Sequence, residues 1–239
     1  NIMFFTFNEA YSNLNSQIYC FSAEEKFLVR TPRLNLSDCI SLDKTRGISF
    51  LNSGKRKTSG HMLRNLLFQK LAQDSRVDLF GNDSYSHLDE KTHYQNRILT
   101  LRNYRFTIIV ENDNSSYLSE QVFDAMLMET IPIYIGGGLD HIFKINTNFS
   151  NLISKNIFNK ALINISHENS NELIKNLDHY DEEYYRQAYD DVKRNKEFIV
   201  KLYLDRGWDG RKLVDSNFFT FVDRIMINIE SYLREKSTK

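Results

Sequence analysis

The chain has 239 residues, 41% of them hydrophobic and 26% charged, which is enough apolar material for one large domain or two modest ones. Its 31 Lys+Arg balance 31 Asp+Glu, so no global charge draws it to nucleic acid or to an anionic membrane surface. Two cysteines, Cys20 and Cys39, offer neither a disulfide framework nor a metal-ligand spacing, and only 9 Gly and 2 Pro exclude collagen-like or low-complexity sequence.

A reducing, cytoplasmic compartment is therefore the expectation. No apolar run approaches the ~18–20 residues that span a bilayer, and the first residues lack a signal-peptide pattern. Asn1 leads straight into the strand-like run 2–7, from which an upstream part of the polypeptide, with or without a membrane anchor, is expected.

In chain order, residues 1–40 read as a separate β-containing piece and 44–47 as a crossover. A buried strand is predicted over 47–52, followed by the basic loop Lys55-Arg56-Lys57-Thr58-Ser59-Gly60. A helix over about 61–72 follows, with Leu63, Leu66, Leu67 and Leu71 on its apolar face. Residues 77–81 read as a strand and 91–101 as a polar helix. Residues 106–110, rich in β-branched side chains, read as a buried strand. Then come a polar loop over 111–119, a short helix over 120–129, a strand over 131–135 and the glycine turn 136–138. A further strand at 161–165 and long amphipathic helices over 181–204 and 216–234 complete the pattern. Strands alternating with helices imply βαβ units and a parallel sheet.

In such sheets, ligands bind beyond the carboxyl ends of the strands, where helix N-termini attract anions. Three junctions qualify. The first, residues 52–64, carries Lys55, Arg56, Lys57 and Arg64, which suit a phosphate-bearing ligand or else form a solvated basic loop. The second, residues 111–121, holds Glu111, Asn112, Tyr117, Glu120 and Gln121, groups that hydrogen-bond sugar hydroxyls and stack on a base, or simply make a polar loop. The third, Gly136 to Gly138, is a close-approach site or a plain turn.

No G-x-G-x-x-G, Walker, H-E-x-x-H or D-x-D pattern occurs. His61, His87, His93, His141, His167 and His179 read as surface or capping groups. Tyr180, Tyr184, Tyr185, Tyr189 and Tyr203 read as packing residues, and Trp208 as a loop anchor or a cover for a sugar ring.

The segment Tyr104-Arg105-Phe106 to Glu111-Asn112, then Tyr117-Leu118-Ser119-Glu120-Gln121 to Asp124-Ala125, then Thr130-Ile131-Pro132-Ile133-Tyr134 to Gly137 resembles the signature of the α-1,3/4-fucosyltransferases, glycosyltransferase family 10. The family pattern is approximately Y-K-F-x-x-x-F-E-N-S, Y-[VI]-T-E-K-x-x-D-A and T-[IV]-P-[IV]-Y-x-G, matched here in order and spacing with one residue fewer in the loop. Similarity extends to Phe50 through Arg64 and to Val77-Asp78-Leu79-Phe80-Gly81. Upstream it extends to Phe4-Phe5-Thr6, Asn8-Glu9 and Arg30-Thr31-Pro32.

The resemblance implies an α/β, GT-B-like glycosyltransferase with its active site between two lobes. The end of the acceptor lobe would occupy 1–43, a Rossmann-like nucleotide-sugar donor domain 44–178, and C-terminal helices packing back on the lobes 179–239. It implies transfer of fucose, or a related sugar, from GDP-fucose to a glycan or glycoconjugate acceptor, with inversion and with no metal or other cofactor, in glycan biosynthesis and protein glycosylation.

By the same resemblance, Arg64 and Tyr117 contact the donor diphosphate and nucleotide, Glu120 its ribose or base, and Glu111 and Asn112 the sugar end. Glu9 stands at the position of the catalytic carboxylate, with Glu24 and Glu25 as other candidates. Gln121 replaces the family's lysine, a loss of one cation that Lys55 to Lys57 are expected to offset. The alternative is a non-catalytic or partner-dependent domain that binds nucleotide sugars or carbohydrate within a larger protein.

Overall fold

The run Tyr-Arg-Phe-Thr-Ile-Ile-Val at Tyr104–Val110 is aromatic or β-branched at all but one position, and it forms a strand at the centre of a parallel sheet. This computed structural model describes residues 4–6, 18–20, 34, 36–40, 43–81, 90–112, 119–137 and 160–204.

Two short strands, β1 (Phe4–Thr6) and β2 (Ile18–Cys20), pair in parallel with each other. The main sheet has five strands: β3 (Arg46–Leu51), β4 (Val77–Phe80), β5 (Tyr104–Val110), β6 (Ile131–Ile135) and β7 (Ile163–Ile165). They lie in the order β4-β3-β5-β6-β7, all parallel, with Phe50 opposite Ile108, Ile108 opposite Ile133 and Ile133 opposite Ile163.

The chain thus steps outward from β3 to β4, crosses back over β3, and continues the other way through β5, β6 and β7. The reversal falls between β3 and β5, and a right-handed crossover on each side of it puts helices on opposite faces. Helix α1 (Ser59–Lys70) covers one face, where its Leu67 packs with Phe50, Phe106, Ile108 and Ile133. Helices α2 (Glu90–Arg102) and α3 (Gln121–Leu127) cover the other, around Leu101, Ile109, Val122, Phe123 and Tyr134.

The C-terminal helices α4 (Asn171–Asn176), α5 (Glu182–Gln187) and α6 (Tyr189–Leu204) return to the sheet. Tyr180, Tyr184 and Tyr185 surround Phe106 with ring centroids 5.8–6.2 Å away, which is the packing role expected of them. Helix α6 joins the two cores, with Val192 in the first and Ile199 in the second.

Several sequence expectations differ from these elements. Helix α1 begins two residues earlier than predicted, because the extended Thr58 caps it and accepts the His61 amide at 3.2 Å. Leu66, predicted on its apolar face, is 48% exposed, while His61 and Arg64 turn inward at 8% and 7%. The single helix over 181–204 is two helices, interrupted by a turn at Ala188 and started by the Asp181 cap, which accepts from Tyr184 N at 2.8 Å. Helix α4 was not predicted, and β7 starts at Ile163 rather than 161. The predicted helix over 216–234 lies outside the described residues.

The supposed crossover at 44–47 is also different, since Arg46 and Gly47 already belong to β3. Lys44 turns into the protein at the amino edge of the sheet. Its Nζ donates to the carbonyls of Leu101 (2.9 Å), Arg102 (3.0 Å) and Met128 (2.5 Å) and to Thr130 Oγ1 (3.0 Å). It thereby caps the C-termini of α2 and α3 together.

Candidate functional site

The carboxyl edge at the β3/β5 reversal is where the polar residues of the sequence converge. After β3, the buried Asn52 folds the chain back on itself. Its Oδ1 accepts from Gly54 N at 3.1 Å and its Nδ2 donates to Asn65 Oδ1 at 2.8 Å, while Asn65 Nδ2 reaches the Lys55 carbonyl at 2.8 Å. Gly54 takes φ +68°, which only glycine adopts freely. The basic loop is thus tied to the first turns of α1, with Lys55, Arg56 and Lys57 exposed.

The start of α1 presses directly on the end of β5. Gly60 N donates to the Asn112 carbonyl at 3.2 Å. A Cβ at Gly60 would stand 1.8 Å from the Glu111 carbonyl oxygen and 2.6 Å from the carbonyl carbon of Asn112, so no larger residue fits against this backbone. One turn deeper, Arg64 Nη2 donates to the Val110 carbonyl, and to Asn112 Oδ1 at 3.1 Å. Burial lowers the Arg64 pKa, with nearby Glu111 acting against the shift. The sequence reading expects Arg64 to contact a phosphate-bearing ligand or to belong to a solvated basic loop; in the structure part of its guanidinium fastens the β5 end to α1.

Glu111 is fully buried. Its amide continues the ladder to the Ile135 carbonyl at 2.9 Å, and its Oε1 accepts from Ser119 N at 2.7 Å, closing the base of the intervening loop. Gly136 leaves room for it, since a Cβ there would come within 2.9 Å of Glu111 Cγ. Burial pushes the Glu111 carboxyl up to about 7, opposed by the amide and then the hydroxyl of Ser119, with Glu120 raising it further and Arg64 lowering it. Glu111 Oε2 and Ser119 Oγ are sealed from solvent and find no hydrogen-bond partner among the described residues, which in a native fold calls for an explanation.

Glu120 is buried immediately before α3 and Gln121, half-buried, opens the helix. Arg64, Glu111, Asn112 and Glu120 thus share one edge, with Lys55 and Lys57 on the loop beside them. Glu9, Glu24, Glu25, Tyr117, Gly138 and Trp208 lie outside the described residues. Among the described residues no group of His, Cys, Asp and Glu has the geometry to hold a metal ion, and no helix is long and apolar enough to cross a membrane.

Two features escaped the sequence reading. Asp124, quoted only as part of a motif, is a buried scaffold residue, paired with Arg97 at 2.7 Å. His61, read as a surface or capping group, is buried beside Arg64, and its Nδ1 is 2.7 Å from the cap oxygen Thr58 Oγ1. The available signal was its i, i+3 spacing from Arg64, which places both on one helix face.

The profile described as glycosyltransferase family 10 (fucosyltransferase) C-term matches residues 42–196, more than half of the chain. Among solved structures, the chain is similar to an α1,3-fucosyltransferase with GDP-fucose, at 18% identity over 75% of this chain and 51% of that one, TM-score 0.42. It is also similar to an α1,3-fucosyltransferase structure at 20% identity over 74% and 51%, TM-score 0.39. A third, an α1,3-fucosyltransferase with GDP, has 16% identity over 86% and 70%, TM-score 0.45. The chain therefore spans about half the length of the first two. No curated protein sequence matches it.

Proposed function

The chain belongs to glycosyltransferase family 10, the fucosyltransferases, and from that membership we propose that it transfers fucose from GDP-fucose to a hydroxyl of a glycan acceptor, inverting the anomeric centre without a metal. The observation that carries this reading is the buried polar set at the sheet reversal. Glu111 Oε2 and Ser119 Oγ are two hydrogen-bonding atoms without partners among the described residues, set beside Glu120 and behind a rim of cations. A ligand rich in hydroxyls and joined to a diphosphate satisfies both features.

In the proposed reaction the acceptor oxygen forms a bond to the anomeric carbon as the bond from that carbon to the β-phosphate oxygen breaks, with the electron pair leaving on the diphosphate. Arg64, Lys55 and Lys57 stabilise the charge that develops there, the work a metal does in other transferases. Glu9 takes the acceptor proton, a role it receives from its match to the family's carboxylate position.

Calorimetry with GDP, UDP and CDP in the presence of a chelator tests the donor site. GDP binds most tightly, and tighter UDP binding or strict dependence on a divalent ion overturns the reading. A transfer assay tests the chemistry, with Glu9→Gln lowering turnover by about 10²–10⁴-fold at nearly unchanged GDP affinity. Binding of GDP-fucose without transfer to any glycan would instead favour a non-catalytic domain.

A further inference from the structure

The backbone at the start of α1 is already in use. Of its first N–H groups, that of Gly60 goes to the Asn112 carbonyl, that of His61 to Thr58 Oγ1 and that of Met62 to the Thr58 carbonyl. The helix end therefore meets an incoming anion mainly through its side chains, and their arrangement along the axis matters.

Helix α1 leaves the carboxyl edge of the sheet and runs back along it, so residues nearer its N-terminus lie nearer the ligand edge. His61 and Arg64 share the inward face, and three residues separate them, or about 4.5 Å of helix rise. Arg64 is the deeper of the two and already spends one nitrogen on Val110 and Asn112. His61 lies nearer the ligand edge, close enough for Arg64, Lys55 and Lys57 to act on its ring.

Thr58 fixes the ring on its Nδ1 side. Thr58 Oγ1 accepts the His61 amide and lies 2.7 Å from Nδ1. The tautomer in which the Thr58 hydroxyl donates to Nδ1 carries the ring's own proton on Nε2. Nε2 makes no hydrogen bond to any described residue and is not sealed from solvent. Burial first, then Arg64, Lys55 and Lys57, keep the imidazole below its usual pKa and hence neutral.

We propose that His61 is a further donor-binding residue whose Nε2–H hydrogen-bonds the diphosphate of the nucleotide donor, nearer the ligand edge than Arg64. This rests on the donor reading given above.

The test compares GDP with guanosine, which lacks the phosphates, on the wild-type chain, His61→Ala and His61→Gln. His61→Ala weakens GDP about 10-fold or more, the effect of losing a hydrogen bond to a charged group, and leaves guanosine binding unchanged. His61→Gln, whose amide nitrogen lies near the Nε2 position, recovers a large part of that loss. In the unmutated chain, the ring ¹⁵N resonance of His61 Nε2 shifts on adding GDP and not on adding guanosine, a readout that does not depend on a variant's folding. GDP affinity unchanged in folded His61→Ala, or an Nε2 resonance indifferent to GDP, overturns this inference and leaves the donor site standing. Failure of the wild-type chain to bind GDP overturns both.

Discussion

Buried charge is placed at both edges of the sheet, and the two placements differ in how completely they are satisfied. At the amino edge, Lys44 meets four oxygens, Glu129 pairs with Lys196 at 2.7 Å, Lys196 also reaches the Cys39 carbonyl at 2.9 Å, and Tyr185 donates to the Glu129 carbonyl at 2.8 Å. At the carboxyl edge, Glu111 is held through Ser119 alone, whose amide donates to Oε1 and whose hydroxyl lies close enough to act on the carboxyl, while Glu111 Oε2 and Ser119 Oγ are buried without a well-formed hydrogen bond among the described residues. The first cluster ties the ends of α2 and α3 to the start of β3 and β6. The second keeps polar capacity in reserve and bears a desolvation cost in doing so, as expected where a ligand completes the bonding.

The largest expected loss of stability is at Lys44. Lys44→Met strips the amino edge of its shared cap; the Leu101 carbonyl keeps the Thr130 hydroxyl and the Arg102 carbonyl turns to water, so the Met128 carbonyl bears most of the cost, and unfolding in urea should show a loss of about 1–2 kcal/mol. GDP affinity of the folded fraction should stay at the wild-type value, because the proposed donor site lies at the other end of the strands.

Arg64→Ala acts on both properties. GDP binding weakens by about 1.5–3 kcal/mol, the scale of a charge-assisted hydrogen bond. The sequence alone predicts little cost to the fold, but the bonds to Val110 and Asn112 add a stability loss of about 1 kcal/mol, measurable in the same urea titration.

Glu111→Gln should have the opposite sign. The native carboxyl is raised by burial from its ordinary value near 4.5 to about 7, so between those limits the folded state binds more protons than the unfolded state and wild-type stability falls as pH rises. Glutamine keeps an acceptor for Ser119 N and removes that loss. The variant should match the wild type near pH 4.5 and exceed it by about 1–2 kcal/mol at pH 8, while binding the donor more weakly. A variant less stable than the wild type at pH 8 would make Glu111 a scaffold residue like those of the amino edge.

The smallest effect is at Gln121, half-buried in the first turn of α3. Gln121→Lys restores the family's cation and should tighten GDP binding by about 0.5 kcal/mol at low salt, fading as ionic strength rises. Unchanged affinity by calorimetry would place the donor phosphates away from α3.

Strand β6 has the bounds its composition predicts, and β5 is only two residues longer, because strands buried on both faces need apolar side chains throughout and so announce themselves. Residues 52–64, with Lys55, Lys57 and Arg64, and residues 111–121, with Glu111, Asn112, Glu120 and Gln121, were legible as candidate site segments for a related reason. Loops at strand ends are free of packing, so an accumulation of charge and amide groups there stands out against the hydrophobic runs.

What only the tertiary structure decided is which polar residues turn inward. Counting leucines rotates α1 toward Leu66, but the start of α1 faces the carbonyls at the end of β5, and their unmet acceptors draw in Arg64 and, on the same face, His61. Lys44 is invisible for the same physical reason: its partners are three carbonyls and a hydroxyl 57 to 86 residues away in sequence. Periodicity reports the hydrophobic demand of an element on its core, whereas the demand of backbone groups for partners is known only once the strand and helix ends have been brought together.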